Sequence, residues 1–230
     1  MKPDAYTLVA RIFPGILGVI PFLVLYFRAL RPLIGDLVDS IFGLQFVSDV
    51  TIPLVLLYLF VQLAKYLSKE LYQKKMFNNG LNMPTTNFLL HLNDFFTRDF
   101  TKKVHEKILS DFNIQIPSIE AEQSDSVHSR KTISEAVSCI CGKMKKGHLI
   151  GQHNTEYGFW RNLAGGSIIS VIASVVSVIV FAWLYPDGSA LRTSIALGII
   201  YSIHLIFAKK MIVHSGEEYA KILIREYVVS

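Results

Sequence analysis

One uncharged stretch in the second half of the chain constrains the fold more than any other feature. Residues 163–185 include 23 positions without a charged side chain. At about 1.5 Å per residue, a helix of this length crosses the roughly 30 Å hydrocarbon core of a bilayer. Trp160 and Trp183 lie near its two ends, and indole rings prefer the membrane–water interfaces. We therefore predict an integral membrane protein.

The composition supports a membrane protein and gives no sign of disulfide bonding. Of the 230 residues, 51% are hydrophobic, which exceeds the usual share in a soluble domain. The two cysteines, Cys139 and Cys141, lie in a segment that we assign to the cytosol, so we expect reduced thiols. An apolar run also follows the basic N-terminus, but Arg11 interrupts it and no small-residue cleavage site follows. We expect a retained anchor there.

The hydropathy pattern predicts an all-α, polytopic protein with four transmembrane helices in two hairpins and a helical cytosolic domain inserted between them. The predicted parts are a first hairpin at 1–66 (spans at about 6–27 and 50–64, amphipathic connection at 32–46), the cytosolic domain at 67–162, a second hairpin at 163–208 (spans 163–185 and 190–208) and a cytosolic C-terminal helix at 209–230.

Basic residues beside the spans predict the orientation, because they accumulate on the cytoplasmic side. Nine lie on one side and three on the other. The nine are Lys2, Arg11, Lys65, Lys69, Lys74, Lys75, Arg161, Lys209 and Lys210, and the three are Arg28, Arg31 and Arg192. This asymmetry places both termini and the inserted domain in the cytoplasm, at the inner (plasma) membrane.

Several local signals predict helix ends in the inserted domain and beyond. Apolar residues four apart predict a helix over 100–112, and the Asn-Asn-Gly at 78–80 should end the helix before it. Residues 83–94 favour a helix weakly, and the polar segment 114–129 predicts a loop. Two capping boxes then predict helix starts, Thr132 with Glu135 and Ser215 with Glu218, and Gly147 should end the first of these two helices.

Small residues form one face on each of the last two spans. The third span has serines at steps of three, four and three, and the fourth has small residues four apart. The residues of the two faces are Ser167, Ser170, Ser174 and Ser177, followed by Ser194, Gly198 and Ser202. Two interpretations are open. The faces pack helices closely against one another, or they line a wet path in an oligomer.

An aromatic and basic collar precedes the third span, and it also has two interpretations. Its residues are Tyr157, Trp160, Arg161 and Asn162. Amphipathic rings beside an arginine are typical of an interfacial anchor belt. Alternatively, the collar is a coupling element that transmits movement of the inserted domain to the membrane.

The signals for catalysis and for cofactor binding are weak. Arg98 and His105 form an R-x6-H pattern that resembles the short motif of HEPN ribonucleases, a family whose members act as helical dimers with paired motifs. Cys139 and Cys141 lie two positions apart, which points them to opposite sides of a helix. The histidines show no spacing typical of metal ligands. We expect no cofactor and no metal.

Charge also argues against two functional classes. The four predicted spans contain no Asp or Glu, which disfavours an ion-coupled transporter. His204, near the end of the fourth span, is expected to be an interfacial hydrogen-bonding residue or a pH-sensitive gate. Residues 67–162 include 13 Lys and Arg against 10 Asp and Glu, a net charge of +3, and this is not a nucleic-acid footprint.

Together these features predict a non-enzymatic, homo-oligomeric membrane protein whose cytosolic domain controls a channel-like or membrane-perturbing response. The expected partners are the bilayer, further copies of the chain, and a cytosolic protein or small signal. In layout the chain resembles the small multi-span effectors of bacterial antiphage systems. The alternatives are a membrane anchor that clusters a cytosolic partner and a membrane-tethered, HEPN-like ribonuclease using Arg98 and His105.

Overall fold

The computed structural model describes residues 4–33, 35, 40, 45–144 and 147–230, and over these residues the chain forms helices joined by turns, without strands. Four of the described helices are long and apolar enough to cross a membrane. They are α1 (Ala5–Leu33), α2 (Gln45–Leu67, continued by the π-helical Ser68–Lys75), α7 (His148–Leu184) and α8 (Gly188–Val229). The predicted helical class and the four helices of spanning length are confirmed.

Among the described residues between the second and third long helices, four shorter α-helices follow a 3-10 turn at Asn78–Gly80. They are α3 (Pro84–Asn87), α4 (Arg98–Phe112), α5 (Ile119–Ser124) and α6 (Ser126–Lys143). The chain divides into two compact units. The first unit is Met1–Glu70 with Gly158–Lys209, and the second unit is Leu71–Tyr157 with Lys210–Ser230. The divisions fall inside the π-helical end of α2, inside α7 and inside α8, as their bounds show.

The first unit has an apolar interior in which α1, α2 and α7 meet. Val19, Phe60 and Ile169 are buried together there. Gly165 of α7 allows the close approach, since a Cβ at this position would lie 2.5 Å from the carbonyl oxygen of Ala64. The backbones of α7 and α2 are therefore close enough that only glycine fits between them.

The outer surface of the first unit is also apolar. Trp183 is 76% exposed and Ile206 is 75% exposed, and many leucines, isoleucines and valines of the four long helices are exposed with them. An exposed apolar surface of this extent is unfavourable in water and is typical of a surface that lipid covers.

The second unit has its own core, to which the turn after α3, α4, α6, the start of α7 and the last part of α8 contribute. Val104, Ile108, Ile133 and Ile140 are fully buried within it. The end of α8 supplies four further residues, none more than 1% exposed: Ala220, Leu223, Ile224 and Tyr227. The C-terminal segment is thus a core element of this unit, whereas the sequence predicts only a cytosolic helix at 209–230.

Several predicted boundaries in the second unit are confirmed and others are wrong. The predicted helix at 100–112 is observed as α4, and Asn78, Asn79 and Gly80 have positive φ angles after the helix ends. The predicted loop at 114–129 is wrong, because α5 and the start of α6 occupy most of it. The polar residues that suggested a loop are N-caps: the Ser118 hydroxyl accepts from the Ala121 N–H, and the Asp125 carboxylate accepts from the His128 N–H.

Both predicted capping boxes are wrong. Thr132 lies inside α6, where its hydroxyl donates to the carbonyl of His128. Ser215 lies inside α8, where its hydroxyl donates to the carbonyl of Met211. The pattern of serine or threonine followed by glutamate was matched, but each hydroxyl bonds back to the preceding helical turn instead of capping a new helix.

The helix that contains the second span runs from Gln45 through the π-helical segment that ends at Lys75, shortly before the predicted stop at Asn78. The limits of the membrane span within it, 50–64, stay a prediction. Two other boundaries differ from the prediction. Within 83–94 only α3 is helical, followed by turns. The helix before Gly147 has already ended at Lys143. The predicted amphipathic connection at 32–46 lies largely outside the described residues.

The N-cap of α6 can be tested directly. Asp125→Ala should lower the free energy of unfolding by about 1 kcal/mol, because the His128 N–H loses its acceptor. Thr132→Ala should change it by less than about 0.5 kcal/mol, because alanine suits a helix interior. Denaturant unfolding of the full chain in detergent, followed by circular dichroism, measures both. A larger loss for Thr132→Ala than for Asp125→Ala would restore the capping box.

Candidate functional site: a hydrogen-bond network in the first unit

Two prolines in α1 leave backbone carbonyls without their usual helical donors. Proline has no N–H, so Pro21 cannot donate to the carbonyl of Leu17, four residues earlier, and Pro14 cannot donate to that of Ala10. Ala10 also lies in the π-helical turn Leu8–Ile12, where the Phe13 N–H bonds the carbonyl of Leu8, five residues earlier, so the regular helical pairing is interrupted there as well. Ala10 is fully buried, and the Leu17 backbone lies on the same helix among apolar neighbours. A buried carbonyl without a donor is costly, so each needs another partner.

Side chains from α7 and α8 supply both partners. The Asn162 side-chain amide donates to the carbonyl of Ala10 at 2.6 Å. The Tyr201 hydroxyl donates to the carbonyl of Leu17. Asn162 is 3% exposed and Tyr201 is 6% exposed, so neither bond competes with water. Each carbonyl left free by a proline in α1 is thus bonded by a different helix.

A third contact lies next to the Leu17 carbonyl. The Ser170 hydroxyl is 2.7 Å from the carbonyl oxygen of Gly18 and 2.9 Å from that of Gly166, one turn earlier in α7. A hydroxyl has one hydrogen to donate, so it serves one of these carbonyls at a time. The α1 backbone therefore accepts bonds from α7 and α8 at successive residues, Gly18 and Leu17.

Asn162 connects three helices. While its amide nitrogen bonds α1, its side-chain oxygen accepts from the Ser68 hydroxyl at 2.9 Å. Ser68 is fully buried at the start of the π-helical end of α2, and its hydroxyl also lies 2.9 Å from the carbonyl of Lys65. The two ends of one amide therefore hold α1 and α2 against α7, one turn from the close approach at Gly165.

A fifth contact joins α7 and α8. The Ser167 hydroxyl lies 2.9 Å from Nδ1 of His204. The His204 ring stacks on Trp160, with ring centroids 6.3 Å apart and planes 20° apart. His204 is therefore a hydrogen-bonding residue in this structure, as the simpler of its two interpretations predicts.

The structure buries the predicted serine face of α7 within a single chain. Ser167, Ser170, Ser174 and Ser177 are at most 1% exposed, and the last two donate to the carbonyls of Ser170 and Ala173. In one chain this face packs against protein. Whether it lines water in an assembly stays a prediction.

The predicted small-residue face of α8 is only partly buried. Ser194 is 1% exposed and donates to the carbonyl of Ala190, while Gly198 is half-buried and Ser202 is exposed. Ser174, Ser194, Gly198 and Ser202 line a cleft of about 410 Å³ between α7 and α8, with apolar walls. The small residues of α8 that are not buried, Gly198 and Ser202, therefore lie in this cleft.

The predicted collar residues have different surroundings. Trp160 is half-buried against His204, whereas Arg161 is 8% exposed and Asn162 only 3%. Tyr157 belongs to the second unit, where it is buried and its hydroxyl lies 4.0 Å from the sulfur of Met83. Arg161 and Asn162 thus lie inside the protein, so a surface belt of lipid-facing side chains does not describe them.

The ribonuclease candidates are not assembled into a catalytic pair in the described residues. Arg98 is exposed and lines a cavity of about 500 Å³, whereas His105 lines a separate one of about 220 Å³. His105 Nε2 lies 2.8 Å from the carbonyl of Leu89, and burial lowers the pKa of its imidazole to about 4. A general acid or base works best with a pKa near the working pH, so this ring suits a structural role.

The described residues also contain no cluster of three or more His, Cys, Asp or Glu that would hold a metal ion. Cys139 is an exposed free thiol, and the half-buried Cys141 has its sulfur 3.5 Å from the Tyr219 hydroxyl. Burial raises the pKa of the Cys141 thiol, which makes it a poor nucleophile.

Comparison with known proteins gives no guide to function. No family model, no curated protein and no solved structure matches the chain.

The network itself was missed at the sequence level, although part of its signal is present there. A proline in a long apolar helix identifies the carbonyl four residues earlier as one that needs a donor. This rule points to Ala10 and Leu17. It does not identify Asn162 and Tyr201 as the donors, because that pairing depends on how the helices pack.

The bond between Tyr201 and Leu17 can be tested by a double-mutant cycle. Tyr201→Phe should lower the free energy of unfolding by about 0.6 kcal/mol, and by up to about 1.7 kcal/mol. In a Pro21→Ala background the new N–H bonds to Leu17, so Tyr201→Phe should cost less. SDS titration of the purified protein measures the four variants. Tyr58 on α2 is 64% exposed, so Tyr58→Phe is the matched control and should leave the free energy of unfolding unchanged. Equal costs in both backgrounds would contradict the assignment.

The burial of His105 predicts a pH dependence of stability. Its pKa of about 4 lies below the ordinary value of 6.5, so between these limits the unfolded state binds more protons. The contribution of His105 is therefore fully present above pH 6.5 and is lost as the pH falls toward 4. His105→Gln should flatten this part of the stability profile, whereas His128→Gln, at an exposed position, should leave it unchanged. Parallel profiles for wild type and His105→Gln would contradict the assignment.

Proposed function

We propose that this protein is a homo-oligomeric, non-enzymatic membrane effector whose long helices conduct ions or disturb the bilayer under control of the second unit. The observation that carries the proposal is the proline-interrupted α1, whose freed carbonyls are bonded by side chains of α7 and α8. Interrupted helices at membrane depth are typical of proteins that line a cavity or rearrange.

The bonds that hold α1 are of a kind that can exchange. A side-chain donor rotates about its own bonds, whereas a backbone donor is fixed in its helix, so Asn162 and Tyr201 can release their carbonyls without unfolding α7 or α8. Such bonds contribute about 0.6 kcal/mol each on average in membrane proteins. The first unit thus has a low-cost way to change how α1 sits against its neighbours.

Assembly from several chains is part of the proposal. The cleft between α7 and α8 carries Gly198 and Ser202 on a partly exposed surface, and small residues allow another helix to approach closely. The α7 serines face protein within one chain, so in the proposed assembly other copies approach at the partly exposed Gly198 and Ser202 instead.

The proposed topology has both termini and the second unit on the cytoplasmic side of the inner membrane. An ion pair within the first unit supports one part of it, that the end of α1 and the turn between α7 and α8 lie on the same side of the membrane. Arg28, toward the end of α1, lies 2.6 Å from Asp187, in the turn between α7 and α8. These two sites were assigned to the same non-cytoplasmic side from their position between spans, and a direct contact between them agrees with that assignment.

The second unit is proposed to receive the signal, which is a protein partner or a small molecule. Two of the divisions between the units fall inside α7 and α8, so a change in the second unit has a direct covalent route to Asn162 and to Tyr201. In this proposal the collar transmits movement of the second unit to the membrane helices. The resemblance in layout to antiphage effectors suggests that bilayer damage on signalling is the outcome.

Ion flux through liposomes tests the proposed function. We expect the purified wild-type protein to leak potassium weakly, and Asn162→Leu or Tyr201→Phe to raise the leak. A loss of about 0.6 kcal/mol from the closed arrangement corresponds to about a threefold increase for Tyr201→Phe, and Asn162→Leu, which loses two bonds, should raise the leak more. Ser138→Ala, on the exposed side of α6, is the control and should match wild type. No leak above empty liposomes from wild type or either variant would contradict a channel-like effector and favour an anchor.

A further inference from the structure

A cavity of about 340 Å³ in the second unit is lined by polar and charged side chains that the proposed function does not use. Its polar lining consists of Asn87, Asn93, Glu122, Ser126 and Arg130. This volume is at the lower end of the range for small-molecule sites. Ser126 is exposed and Arg130 is partly exposed, so the cavity opens to solvent beside them.

Glu122 is the unusual residue of this cavity. It is only 4% exposed, and one carboxylate oxygen accepts a hydrogen bond from the His91 N–H at 2.9 Å. The other oxygen, Oε2, is buried and accepts no hydrogen bond from the part of the chain that the structure describes. A buried carboxylate with half its acceptor capacity unused is costly, and a donor in the cavity would offset that cost once a small rotation of the Glu122 side chain brings Oε2 to the cavity wall.

Arg130 supplies the opposite charge. Its Nη1 donates to the carbonyl of Leu81 at 3.1 Å and to the side-chain oxygen of Asn87 at 2.6 Å. These two bonds fix the guanidinium at the cavity wall. Among the described residues its Nε and Nη2 make no hydrogen bond, and no ion pair joins it to Glu122. One anion and one cation therefore face the same cavity separately, each with unused hydrogen-bonding capacity.

We propose that this cavity binds a small zwitterion with the chemistry of an amino acid. The ligand's ammonium group donates to Glu122, and its carboxylate accepts from the free nitrogens of Arg130. The two side chains contribute no net charge, which favours a ligand that is also neutral overall but has separated charges. Asn93 and Ser126 offer further hydrogen bonds to its side chain.

The proposal rests on this cavity and not on ion conduction. If the proposed function also holds, the zwitterion is the small signal that the second unit receives. Binding is therefore measured without reference to flux, so that failure of one proposal does not decide the other.

Thermal unfolding and calorimetry of the full-length protein in detergent test the site, with the standard amino acids as probes one at a time. We expect at least one to raise the melting temperature in a saturable way and to give a binding isotherm. Glu122→Gln should weaken that binding by about tenfold or more, because an amide cannot replace the charge. Its remaining oxygen still accepts from His91, so the local fold is kept.

Two further variants keep the test decisive. Glu120→Gln, an exposed glutamate on the same helix, is the matched control and should bind as wild type does. Ser126→Leu should fill the cavity and abolish binding without changing any charge. It therefore tests the site even if Glu122→Gln folds poorly. No saturable shift with any amino acid would overturn the proposal. So would binding that survives both Glu122→Gln and Ser126→Leu, or that Glu120→Gln weakens equally.

Discussion

A backbone carbonyl that a proline frees inside an apolar helix must be bonded by something other than water, and this requirement organises the first unit. Pro14 and Pro21 create two such carbonyls in α1, and a buried amide and a buried hydroxyl bond them from α7 and α8. The amide of Asn162 also holds Ser68 of α2. The packing of four long helices thus depends on a few polar contacts among many interchangeable apolar ones. Apolar contacts hold the helices together without fixing their register, whereas each hydrogen bond has a single partner and a direction.

These contacts link stability to the proposed function. Bonds of modest energy between a side chain and a carbonyl keep α1 in place yet can be released without unfolding a helix. The π-helical segments in α1, α2 and α7 add positions where the regular hydrogen-bonding pattern is already interrupted, and such segments are frequent at functional sites. The second unit differs in kind. Its apolar core and its polar cavity suit a domain that folds around a fixed interior and recognises a ligand.

Much of the fold can be predicted from the sequence because it depends on local properties. Four long apolar stretches identify four long helices, and residues four apart identify α4. The errors have a common physical cause. Thr132 and Ser215 match a capping pattern, but a hydroxyl can equally bond back to its own helix, and only the surrounding packing decides between the two. The burial of the α8 end in the second core, the pairing of Asn162 with Ala10 and the half-satisfied Glu122 all join residues far apart in sequence, which no local pattern contains.

The central claim is that side chains of other helices bond the carbonyls that prolines free in α1, and NMR of a pair-labelled sample tests it most directly. With ¹³C-carbonyl leucine and ¹⁵N glycine, only the Leu17–Gly18 and Leu197–Gly198 pairs of this sequence give cross-peaks. A hydrogen bond to Leu17 moves its carbonyl resonance downfield. Tyr201→Phe should therefore shift the Leu17–Gly18 peak upfield and leave the Leu197–Gly198 peak nearly in place. A Leu17–Gly18 peak that does not respond to Tyr201→Phe would contradict the account.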